Sequence, residues 1–120
     1  MTKRKPQGQW AGRSYDPARS ITIDLGTGST ANDRWIRLDN MVRELVRQFR
    51  QDLLYEYATV LVDWRKTLRY RIQEANHWTL ELEPDEWQAL SSGLRGMTGA
   101  PEYSSMYQWL NIHKVQADET

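Results

Sequence analysis

The fold turns on residues 35–75, WIRLDNMVRELVRQFRQDLLYEYATVLVDWRKTLRYRIQEA. Apolar side chains recur there at Trp35, Leu38, Val42, Leu45, Phe49, Leu53, Tyr57, Leu61, Trp64, Leu68, Ile72 and Ala75. Steps of three and four put such residues on one face of an α-helix. The stretch lies inside the run between Gly28 and Pro84, which contains neither glycine nor proline. Asn32 or Asp33 is expected to cap the start by accepting from the orphan amides of the first turn, and Asp39 stands four residues before Arg43. One helix over residues 32–75 would be about 66 Å long, roughly twice the span of a small domain. It must therefore fold back or project. A break near Gln51 and Asp52, or near Asp63, gives a helical hairpin, whereas an unbroken rod leaves its apolar stripe for a partner helix.

A rival pattern overlaps the second half. Leu68, Tyr70 and Ile72 alternate with arginines, Leu80 and Leu82 alternate with acids, and Tyr57 to Val62 is rich in strand formers. These features allow an α+β alternative with a small antiparallel meander over residues 57–83. The helix is preferred because no turn residues separate the supposed strands.

Upstream, Ser20 to Leu25 alternates Ile21, Ile23 and Leu25 with polar residues and runs into Gly26, Thr27 and Gly28, the pattern of a short half-buried strand. Downstream, Pro84 between Glu83 and Asp85 marks a helix N-terminus. Trp87, Leu90 and Leu94 share the face of that helix, and Gly93 or Gly96 ends it. Tyr103, Met106, Tyr107 and Leu110 mark a last helix, with His113 and Lys114 near its end. The expected fold is mainly α: a long amphipathic helix or helical hairpin, two shorter helices and one short N-terminal strand. Residues 1–19 read as a basic extended arm, residues 20–115 as a single domain and residues 116–120 as a polar tail.

Composition agrees with one domain. The 120 residues include only 23 Leu, Ile, Val and Phe, but six Trp and six Tyr supply further apolar area, so the core should be aromatic as well as aliphatic. The net charge is zero, yet unevenly spread. Lys3, Arg4, Lys5, Arg13 and Arg19 face Asp16 alone in the first twenty residues, while Arg95 and Lys114 face seven acids beyond residue 80. Opposite ends of opposite sign allow copies or partners to meet head to tail. The sequence has no cysteine, which removes disulfides, thiolate nucleophiles and cysteine zinc sites and favours a cytoplasmic setting. Pro6 to Gln9 stand where a signal peptide would need an apolar run, and no stretch reaches transmembrane length.

The string ITIDLGTGST, residues 21–30, resembles the first phosphate loop of the actin, heat-shock ATPase and sugar kinase superfamily. The resemblance implies Asp24 facing a metal-bound water and Gly26 to Ser29 facing phosphates. It covers ten residues, no second phosphate loop follows, and a helical pattern stands where that superfamily has a returning strand. A strand end with a glycine-rich turn is the reading carried forward. Glu74 and His77 form one E-x-x-H pair where a di-iron bundle needs two, and Glu81, Glu83, Asp85 and Glu86 lack calcium-loop spacing. No metal, cofactor or catalytic residue is assigned, and no enzyme is expected.

What remains is binding. Trp10, Tyr15, Trp35 and Trp64 are the expected partner-binding residues, since Trp and Tyr dominate interface anchors. Lys3, Arg4, Lys5, Arg13 and Arg19 on the arm, with the helical stripe Arg43, Arg47 and Arg50, are the expected nucleic-acid contacts; Arg65, Lys66, Arg69 and Arg71 add a second cluster. The expected role is a non-enzymatic subunit that docks into a larger protein or nucleoprotein assembly, such as a viral connector or accessory subunit, through its arm and long helix. The partners are other protein subunits or further copies of the chain, with DNA or RNA as a further class and no membrane. The alternatives are a nucleic-acid-binding accessory protein and a small inhibitor of a partner enzyme.

Overall fold

The computed structural model describes residues 18–68 and 77–116. Within them the chain runs β1 (Ile21–Thr27), α1 (Gly28–Gln51), α2 (Tyr55–Leu68), β2 (His77–Leu82), α3 (Pro84–Gly96), α4 (Pro101–His113) and β3 (Lys114–Val115). The fold is mainly α with a small antiparallel sheet in the order β2-β1-β3. The arm up to residue 17, the stretch 69–76 and the tail from residue 117 lie outside the described residues.

β1 is central because its alternation suits one buried face. Ile21, Ile23 and Leu25 are buried, and opposite them β2 contributes Leu82 against Ile21 and Leu80 against Ile23. The opposite face carries Thr22 paired with Glu81 and Asp24 paired with Thr79, polar residues suited to water. A β-bulge interrupts the ladder between Asp24 and Gly26, where the Gly26 amide donates to the Asp24 carboxylate at 2.8 Å. Gly26 and Gly28 both take left-handed backbone angles, φ +100° and +65°, which side-chain-bearing residues adopt at a cost. This pair turns the strand directly into α1. The helix consequently begins several residues before the expected cap: Thr27 is the N-cap, and Asn32 and Asp33 are exposed inside the first turns.

The helical hairpin is the expected one, broken after Gln51. On α1, Leu38, Met41, Val42, Leu45, Val46 and Phe49 are buried; on α2, Ala58, Leu61 and Trp64 are buried against them. The apolar stripe that would have served a partner helix is thus covered from within the chain. Asp39 on α1 accepts two hydrogen bonds from Arg65 on α2, at 2.5 and 3.3 Å, and also pairs with Arg43 at 3.4 Å. The bidentate geometry across the hairpin sets the register of the two helices.

The meander is corrected in part. Residues 57–62 are helical, because their apolar members face α1 at helical spacing; Leu80 and Leu82 do belong to a strand. The sheet therefore has three strands in place of one. β3, two residues long, pairs Lys114 with Ile23 and Val115 with Thr22 and is too short for any alternation to register.

The capping on α3 follows expectation. Pro84 occupies the first turn, and the Glu83 amide donates to the Glu86 carboxylate at 2.7 Å. The helix ends at Gly96, and Gly93 serves a different purpose. A Cβ at Gly93 would lie 2.9 Å from one Leu45 methyl and 3.2 Å from the Phe49 ring, so the glycine is what lets α3 approach α1. Gly93→Val is accordingly expected to destabilise the fold by about 1–3 kcal/mol through overpacking, measured by chemical denaturation. An unchanged midpoint would mean that the contact is loose.

Candidate docking site at the hairpin tip

Helices that end in a tight reversal commonly place a residue of left-handed backbone just past the C-cap, and that residue is usually glycine. Here the Asp52 amide donates to the Gln48 carbonyl at 3.0 Å, Leu53 to Arg50 at 3.1 Å and Leu54 to Phe49 at 2.8 Å. The last two bonds form a Schellman motif, and the Leu54 carbonyl then accepts from Ala58 to open α2. The residue at the glycine position is Leu53, with φ +62°, the one non-glycine residue of positive φ among those described. A side chain there costs roughly 1–2 kcal/mol.

The leucine recovers nothing by burial. Leu53 is 70% exposed, Leu54 46% and Tyr55 57%, three consecutive large apolar side chains at the far end of the hairpin. With Glu56 and Tyr57 they line a shallow hollow of about 300 Å³. Asp52 and Glu56 flank them as exposed carboxylates, and exposed Arg50 stands one turn before Leu54. Backbone strain and contiguous exposed apolar side chains thus coincide at this turn.

Two further surfaces compete. A groove of about 490 Å³ between α1 and α4 is lined by Arg34, Arg37, Glu102, Ser105, Met106 and Trp109. Two of its groups hold α4 to its neighbours: Arg34 donates to the Leu25 carbonyl at 2.8 Å and lies 4.5 Å from the Trp109 ring centre, and Trp109 stacks on His113 at 4.1 Å. A second groove of about 570 Å³ lies between the end of α3 and the start of α4 and presents Met97, Ala100, Pro101 and Tyr107 beside Thr98, Ser104 and Gln108; its charged member is Arg95, which donates to the Ser91 carbonyl at 3.3 Å and lies 5.6 Å from the Tyr107 ring centre.

The residues expected to bind partners or nucleic acid are dispersed. Lys3, Arg4, Lys5, Trp10, Arg13 and Tyr15 lie outside the described residues. Trp64 is 1% exposed and its indole N–H donates to the Glu81 carbonyl at 2.9 Å, so its ring serves the core and presents no surface to a partner. Trp35 is half-buried against Trp78, with ring centres 6.4 Å apart. Arg43, Arg47 and Arg50 do share one exposed stripe of α1. Arg43 faces Asp39, and Arg47 binds Glu44, holding that carboxyl below its usual range. The Arg19 carbonyl accepts from the Gln116 amide at 3.2 Å. His77 opens β2, and its E-x-x-H partner Glu74 lies outside the described residues. Among the described residues, no His, Asp or Glu cluster of three could hold a metal ion, and no helix is long and apolar enough to cross a membrane. The tip itself went unread in the sequence: Leu53 sat in helical phase with the buried stripe, and nothing local marked it as exposed.

One titratable group is strongly perturbed. Lys114 is buried, its ammonium donates to the Asn111 amide oxygen at 2.5 Å and sits 4.8 Å from the Trp87 ring centre, and burial, with nearby Arg95, pushes its pKa down to about 8. Between pH 8 and its unfolded value of 10.5 the unfolded chain holds the proton that the folded chain has released, so folding is favoured as pH rises through that window. Wild type is therefore expected to gain stability relative to Lys114→Met from pH 8 to 10.5, and parallel pH profiles would refute this. At the tip, Leu53→Gly is expected to raise stability by roughly 0.5–1 kcal/mol, the strain relief less the larger unfolded-state entropy of glycine. A lower thermal midpoint would show that Leu53 contributes to folding after all.

No protein-family model, curated protein or solved structure matches the chain.

Proposed function

We propose that the chain works by binding, as a non-catalytic assembly subunit, and that it docks on protein partners through the hairpin tip Leu53-Leu54-Tyr55. The observation that carries this reading is Leu53, strained in backbone and 70% exposed in side chain. A residue that costs the fold free energy and packs on little within the chain is explained by contact with something outside it. The long helix, whose stripe is covered by its own hairpin, leaves that role to the turn. Three side chains fall far short of the ~1,200–2,000 Å² of a stable interface, so the tip acts as an anchor within a wider contact. A cytoplasmic setting, or one inside a nucleoprotein assembly, suits a chain without cysteine.

A second reading, contact with DNA or RNA, draws on the exposed stripe Arg43, Arg47 and Arg50 and on the basic arm. It ranks below the first because Arg43 and Arg47 already face carboxylates and the whole chain is neutral.

A photo-reactive side chain at position 54 of the full chain tests the proposal. It is expected to crosslink to protein, either to other copies in the pure sample or to a partner in extract of the source cells, and Leu53→Asp is expected to abolish the adduct. The absence of any adduct in both settings, or one that survives Leu53→Asp, would remove the tip as the docking site.

A further inference from the structure

Resting on that reading, we infer that the tip's occupant is a second copy of this chain, whose α3–α4 groove receives Leu53, Leu54 and Tyr55. The tip stands at the end of a hairpin, while the groove is an open hollow of about 570 Å³ with Met97, Ala100, Pro101 and Tyr107 among its lining residues.

The charges agree. The tip carries Asp52 and Glu56 on either side of its apolar residues against Arg50 alone, and the charged residue of the groove lining is Arg95, an exposed cation. Seating the tip brings two carboxylates toward one guanidinium at the rim, where complementary charge sets orientation. Tip meeting tip would bring like carboxylates together and bury little, since two protrusions cannot enclose one another. The contact is therefore between unlike surfaces. It builds a chain or ring of copies, or a reciprocal pair in which each tip enters the other's groove.

Sedimentation velocity of the full chain over a wide concentration range reads the result. Wild type is expected to pass from monomer to larger species as concentration rises. Leu53→Asp spoils the tip and Met97→Asp spoils the groove, and each alone is expected to weaken self-association about tenfold or more, the loss of one interface anchor. Mixed in equal amounts, the first still offers a groove and the second a tip, so the pair is expected to form a one-to-one complex that neither forms alone. Leu53→Gly, expected to melt higher than wild type, should lose association too, which separates a lost contact from a lost fold.

Wild type that stays monomeric throughout, variants that associate as wild type does, or a mixture that stays monomeric overturns the inference. The two levels fail differently. A monomeric wild type whose position 54 still crosslinks to another protein ends the self-partner and leaves the tip as a docking site. Self-association untouched by Leu53→Asp, together with no adduct at position 54 in either setting, ends both.

Discussion

Six residues, Phe49 to Leu54, reverse the chain, and the body of the molecule depends on that reversal. Without it the row from Leu38 to Phe49 would lose the cover that α2 provides. With it, Ala58, Leu61 and Trp64 close over the row, each buried to within 2% of completeness. Burying one large apolar side chain is worth about 1.5–3 kcal/mol, and several are buried together, so a left-handed leucine costing roughly 1–2 kcal/mol is easily carried. The magnitudes explain how an unfavourable residue can persist at the turn. They do not explain why it is a leucine, and that gap is what directs attention outward.

Polar contacts then fix what apolar packing leaves adjustable. Asp39 and Arg65 lock the two helices of the hairpin near its open end, and the Trp64 indole carries the lock on to the backbone of β2. α4 is oriented by stacked rings and cations: Arg34 over Trp109 over His113 toward β1, and Arg95, Tyr107, Trp87 and Lys114 toward α3. Such contacts each contribute on the order of 1 kcal/mol beyond burial, but they are directional where hydrophobic burial is not. Of the five tryptophans among the described residues, Trp64 and Trp87 are buried and Trp35, Trp78 and Trp109 are half-buried against the core. The abundance that suggested interface anchors is in good part a substitute for the missing aliphatic core.

How far the sequence could be read follows from the range of each signal. Helix phase, the proline at the start of α3 and the glycine at its end are local, and the corresponding elements lie where they were expected. The break after Gln51 is one of the two that helix length suggested, the other being near Asp63, and Leu53 offered no turn chemistry to choose between them. The start of α1 was missed because two glycines, and no side-chain cap, make the turn from β1. β3 was missed because pairing of two residues is decided by β1, some ninety positions away. The site was barely legible: periodicity assigns Leu53 to the buried row, and only the three-dimensional reversal lifts it out of phase.

The hydrogen bond from Gln116 to the Arg19 carbonyl places the path into β1 and the path out of β3 side by side. A body whose two connections meet at one point can be spliced into a surface loop of another polypeptide without prising that host apart. The same adjacency permits joining the two paths and reopening the ring elsewhere, so that the order of elements along the chain becomes separable from their arrangement in space.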